Sequence, residues 1–99
     1  MLFRSGYLGV LLARQGEFAE ARECLAGGEA LLRAVSDRMS LGILLCARAE
    51  AEARAGAPVA ARALLQSADA LAGEIGAVGD ESELGLALRQ ARSLLTAVT

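Results

Sequence analysis

Histidine, tryptophan and lysine are absent from this 99-residue chain, and proline occurs once, at Pro58. Without histidine the commonest general base of enzymes is missing, and a Cys–His nucleophile cannot be assembled. A zinc site also loses its usual nitrogen ligand. Aromatic residues make up only 3% of the chain, and valine and isoleucine are few. A β-sandwich or barrel, which draws on β-branched and aromatic side chains, is therefore not expected. No apolar run reaches the roughly 18 residues of a membrane span. The longest candidate, Met39 to Ala47, is interrupted by Ser40 and Gly42. A basic stripe is missing too: the net charge is −2, and the ten basic residues are all Arg, interleaved with Glu and Asp. That pattern reads as solvated surface and argues against nucleic-acid binding.

What the chain has in quantity is Ala and Leu, both strong helix formers, within a composition that is 55% hydrophobic. Heavy Ala use with Arg in place of Lys points to a GC-rich bacterial source. The two cysteines, Cys24 and Cys46, fall inside expected helices and read as small buried apolar residues, not as a disulfide or metal pair. No cofactor or metal is expected. The stretch from Met1 to Ala13, with Arg4 ahead of an apolar run, faintly resembles a secretion signal. Its continuation through Gln15-Gly16-Glu17 fits a helix and turn better, and a cytoplasmic location is expected.

Five helices are expected. The first runs from about residue 2 to 14 and ends at Gly16, a residue that tolerates a left-handed cap. The second spans about 17 to 35, with Glu17 and Glu20 favourably placed in its first turn. Within it, Gly27-Gly28 costs about 1 kcal/mol per Gly relative to Ala, which implies either close helix approach or a break. Ser36 and Asp37 are N-cap residues for a third helix reaching about residue 55. Gly56 stops that helix, and Pro58 opens the fourth, where its missing N–H costs nothing. The fourth ends near Glu74, and a loop follows through Gly76 to Gly79. Asp80 then caps the fifth helix, with Glu83 at capping-box spacing, and the helix runs to about Val98. Apolar stripes at steps of three and four support this reading: Phe18, Ala21, Leu25 and Gly28; Ala61, Leu65, Ala68 and Leu71; Leu84, Leu88, Ala91 and Leu95.

Two of these stripes match at an offset of 40 positions. Gly16 aligns with Gly56, Ala21 with Ala61, Arg22 with Arg62, Leu25 with Leu65 and Leu31 with Leu71. Ala13-Arg14 likewise aligns with Ala53-Arg54. A glycine turn with small and large apolar residues at one period marks stacked helical hairpins. The stretch from Leu8 to Ala21 carries a Leu8-Gly9 pair, Leu12, the Gly16 turn, the aromatic Phe18 and the small Ala21. In these features it resembles a tetratricopeptide repeat, and Leu25 and Gly28 continue the pattern. The second unit departs from it, with Arg48-Ala49 at the Leu-Gly pair and Pro58 at the aromatic. The longer period is similar to that of repeats in bacterial regulators.

The resemblance implies an all-α fold of tetratricopeptide-like antiparallel hairpins, an α-solenoid occupying the whole chain as one domain. Repeat one would cover about 2–35, repeat two about 37–75, and a capping helix about 81–98. It also implies a non-enzymatic scaffold for protein or peptide partners, within a bacterial signalling or regulatory protein. Because the chain begins at a repeat start, a fragment of a longer array or a stand-alone remnant is expected. The first helix of each hairpin would line a concave face holding Val10, Arg14, Cys46, Glu50 and Arg54, with Gly6, Ala13 and Ala53 beside them. Residues that clamp a peptide's terminal carboxylate are mostly absent, so capture of an acidic C-terminal tail is not expected.

The carboxylates at 17, 20, 23, 50 and 52 read as solvated helix surface, and Arg14 and Arg54 as residues that suit a helix C-terminus. Gly6 and Gly9 lack the strand and lysine of a phosphate loop. The alternative function is self-association. Leu2, Phe3 and Tyr7 at one end, and Leu86, Leu94 and Val98 at the other, would pair in a symmetric homodimer.

Overall fold

The computed structural model describes residues 3–76 and 82–98. Among them are five helices and no strand: α1 (Phe3–Arg14), α2 (Phe18–Ala34), α3 (Arg38–Arg54), α4 (Pro58–Ile75) and α5 (Glu83–Val98). All boundaries fall within two residues of those expected. Asp37 caps α3 as anticipated, its Oδ1 accepting the Ser40 N–H at 3.1 Å. The expected Asp80 cap lies outside the described residues. The cap seen on α5 is Ser82, whose Oγ accepts the Gly85 N–H at 2.9 Å.

The turns show a regularity finer than the 40-residue offset. Gly16, Ser36, Gly56 and Gly76 stand 20 residues apart and all have left-handed backbone, with φ of 84°, 57°, 81° and 73°. At the first three, the hydrogen bonds of a Schellman motif recur. The N–H groups of Glu17, Asp37 and Ala57 donate to the carbonyls of Leu12, Leu32 and Glu52, at 2.9, 3.2 and 2.8 Å. Those of Gly16, Ser36 and Gly56 donate to Ala13, Arg33 and Ala53. Ser36 thus shares the conformation of the turn glycines besides preceding a cap, and α2, α3 and α4, each with the turn that follows it, fill one 20-residue step.

Packing follows from α3. Nine of its residues are buried, among them Leu41, Leu44, Leu45 and Ala49, and they lie on more than one face of the helix. Such a helix belongs at the centre. It touches α1, α2, α4 and α5, while α2 also packs on α1, and α4 on α5. Among the described residues α1 does not reach α5, nor α2 reach α4. The result is a row of α1, α3 and α5, with α2 seated behind the first joint and α4 behind the second. Small residues make the joints close: Ala21, Ala61 and Ala68 are fully buried.

Gly27 does not pack. A Cβ built there meets nothing within 4 Å, and the same holds for Gly73 in α4. Helix α2 runs unbroken through the glycine pair, and only Gly28 is buried. Gly27→Ala and Gly73→Ala should each raise stability by about 0.5–1 kcal/mol, because alanine confers helix propensity with no steric cost. The check is a higher denaturant midpoint at unchanged slope.

Candidate functional site

The row of helices forms an open groove of about 340 Å³. Helix α1 contributes Tyr7, Val10, Leu11 and Arg14, one helical stripe at steps of three and four. Helix α3 contributes Ser40, Ile43, Cys46, Ala47 and Glu50 along the middle, and α5 supplies Ala87, Gln90 and Ala91 as the far wall. The buried Leu32 and Leu44 lie beneath. The lining is mostly aliphatic, and its charged members are Arg14 and Glu50.

Four of the five residues expected on a concave face line this groove: Val10, Arg14, Cys46 and Glu50. Arg54 stands at its edge and reaches it through Glu50. The Nε atoms of Arg14 and Arg54 both donate to Glu50 Oε2, each at 2.9 Å. Two arginines at equivalent turns, one on α1 and one on α3, therefore share a single carboxylate. The α5 wall has no counterpart in the sequence reading. From the sequence, α5 is expected as a capping helix with a core stripe that includes Ala91 and with Leu86, Leu94 and Val98 for self-association, whereas Ala87 and Gln90 carry no expected role.

Of the residues expected in self-association, Tyr7 is 69% exposed and lines the groove, Leu86 is exposed, and Leu94 is half-buried. Leu2, and the side chains of Phe3 and Val98, lie outside the described residues. A separate exposed apolar group, Leu31, Val35 and Met39, sits where α2 passes into α3.

The reading of all the carboxylates as solvated needs correction. Glu17, Glu20 and Glu23 are exposed, but Glu50 is half-buried and Glu52 is buried. Glu52 occupies the position 40 residues beyond Leu12 and is held by Arg22, whose Nε and Nη2 each donate to it at 2.9 Å. Glu29 on α2 takes hydrogen bonds from Arg48 on α3 and from Arg33. Arg38 pairs with Glu74 and Arg92 with Asp69, so α4 is tied to both of its neighbours. A carboxylate is stable at a buried joint because a guanidinium on the next helix completes it.

The hydrogen bond from Arg22 holds the Glu52 carboxyl below its ordinary range, against a smaller opposing effect of burial. For Glu29 burial is the largest influence and opposes ionisation, but Arg48 and Arg33 together outweigh it and the net shift is downward. Both groups are therefore easier to ionise folded than unfolded. Their contribution is whole above the ordinary carboxylate value of 4.5 and drains as the pH falls below it, through the lowered folded values. Melting temperatures measured from about pH 6 down to about pH 2 should fall through that window, and Glu52→Gln should fall less steeply.

Cys46 lies on the groove floor, and burial pushes its thiol up to about 12 from 9.0, Arg92 pulling it down and Asp69 adding to the rise. It is a neutral packing group at physiological pH, not a thiolate. Among the described residues no group of three or more His, Cys, Asp or Glu is placed to hold a metal ion. No helix there is long and apolar enough to cross a membrane. No family model, curated protein or solved structure matches the chain.

Proposed function

We propose that this chain is a tetratricopeptide-like α-solenoid acting as a non-enzymatic interaction scaffold, with the groove across α1, α3 and α5 as the seat of a protein partner. The observation that carries the reading is the groove itself: three alternate helices in one row present a single open, mostly aliphatic channel. Alternate helices lining one face, with the others packed behind, is the arrangement by which helical-hairpin arrays make concave binding surfaces. The recurring turns and the resemblance of the stretch from Leu8 to Ala21 support the same assignment. The protonated Cys46 and the ion-paired Glu50 and Glu52 leave little for catalysis to use. A bacterial signalling or regulatory protein of the cytoplasm is the setting that the composition and the long period suggest.

The test is selection of displayed peptides on the full chain, with counter-selection on Ala47→Arg, which fills the middle of the groove. Peptides enriched on the parent and lost on the variant support the scaffold. Enrichment indifferent to Ala47→Arg would place binding elsewhere and remove the basis for this reading. The second reading, a symmetric homodimer, has the exposure of Tyr7 and Leu86 in its favour. It requires light scattering to give twice the monomer mass at micromolar concentration, and a return to monomer in Tyr7→Ser or Leu86→Ser.

A further inference from the structure

We infer that the groove takes an amphipathic helix of a partner protein, and that this helix places an acidic side chain against Arg14 and Arg54. The inference rests on the groove being a protein-binding site and goes on to specify its occupant.

The helical form follows from what the lining offers. Apart from Arg14 and Glu50, the polar side chains facing the groove are Tyr7, Ser40 and Gln90. An extended strand laid on Ile43, Ala47 and Ala87 would bury backbone N–H and C=O groups with almost nothing to receive them, at a cost comparable to that of lost hydrogen bonds. A helix satisfies its own backbone and needs only apolar contact. Small residues at Ala47, Ala87 and Ala91 allow its ridge to come close. From Ser40 to Glu50 the α3 stripe covers about 15 Å, or about three helical turns, which sets the length of the contact.

The acidic contact follows from the charge balance at one end. Glu50 supplies one negative charge to two guanidiniums, both through Oε2. Among the described residues neither arginine pairs with a second carboxylate, so the cluster keeps a net charge of +1. Arg14 and Arg54 bond Glu50 through Nε, and their side chains remain half and one-third exposed, leaving terminal N–H groups for an incoming anion. A carboxylate arriving here gains charge-assisted hydrogen bonds, whereas an ammonium meets net repulsion. The acid is an internal side chain of the helix, so a free C-terminus is not required.

The experiment uses synthetic helical peptides of about 12 residues, acetylated and amidated, that share one Ala/Leu ridge. They differ only in a Glu, Gln or Lys at one end of the ridge, and each is made with that residue at either end. Fluorescence anisotropy of labelled peptide on the full chain measures affinity at low and high salt. The best Glu peptide should bind about tenfold tighter than its Lys counterpart at low salt, and high salt should shrink the ratio. In the Arg14→Gln/Arg54→Gln double variant Glu50 is left alone, and the preference should invert toward Lys. In Glu50→Gln the preference for Glu should widen. All three side chains reach solvent, and thermal melts establish that the variants fold. Equal affinities for Glu and Lys peptides, with binding still lost in Ala47→Arg, would overturn the acidic contact and leave the groove standing. Binding by none of the peptides overturns the helical occupant. A chain that forms dimers blocked by Ala47→Arg would show the occupant to be a second copy, which also overturns the proposal.

Discussion

Leu25→Ala is expected to cost about 2–5 kcal/mol of stability, and Gly9→Ala about 1–3 kcal/mol, yet the double variant should cost clearly less than their sum. The reason lies at the joint of α1 and α2. A Cβ built on Gly9 would lie 2.4 Å from Leu25 Cγ and 2.5 Å from Cδ2. Leu25 is itself fully buried and cannot swing out to make room. Each single change is thus a different error: one leaves a cavity, the other overfills a filled space. Combined, the new methyl group enters the volume the leucine has vacated. Coupling between residues in contact is the signature to look for in a double-mutant cycle from denaturant unfolding. Strictly additive costs would mean that Gly9 and Leu25 do not share this space. The joint of α3 and α5 repeats the design with different residues, since a Cβ on Gly42 would stand 2.8 Å from Leu84 Cδ2.

The second large effect concerns Ala21 and Ala61. Both have 0% exposure and sit one turn into α2 and α4, each of which packs against two other helices. Leucine at either place adds three heavy atoms to a site closed to solvent, and Ala21→Leu and Ala61→Leu should each lower stability by about 1–3 kcal/mol. Ala26, exposed on the same helix as Ala21, is the control, and Ala26→Leu should change stability by less than about 0.5 kcal/mol. If the two buried substitutions left the denaturant midpoint where it was, the close approach of the paired helices would be contradicted.

How much of this was legible in the sequence varies from residue to residue. Helix ends were readable wherever chemistry marks them: Gly16 and Gly56 at left-handed positions, Asp37 as a cap, Pro58 at a first turn. Ser36 was not, because serine carries no signal for a positive φ, and it was read only as a capping residue. The 20-residue step was therefore seen as a 40-residue one. Glu52 was misread for a different reason. Its burial depends on Arg22, 30 positions away, and no local pattern distinguishes a carboxylate completed by a remote guanidinium from one facing water. The groove was half legible. Residues on α1 and α3 followed from the resemblance to a tetratricopeptide repeat, in which the first helix of each hairpin lines the concave face, but the α5 wall depends on how the last helix docks. That docking seats Leu84, a member of the expected stripe, against Gly42, and the periodicity of one helix does not specify its partner on another.

The central place of α3 also bears on how the molecule opens. Either α1 or α5 can detach while α3 keeps its contacts with the remaining helices, whereas α3 cannot leave without dismantling everything. Partial unfolding should therefore proceed from the two flanks. In native-state hydrogen exchange the amides of Leu44, Leu45 and Ala49 should be released only by global unfolding, while those of α1 and α5 should exchange through smaller, cheaper fluctuations. The element expected to open last is then one helix of 17 residues, and the groove's two walls should open before it.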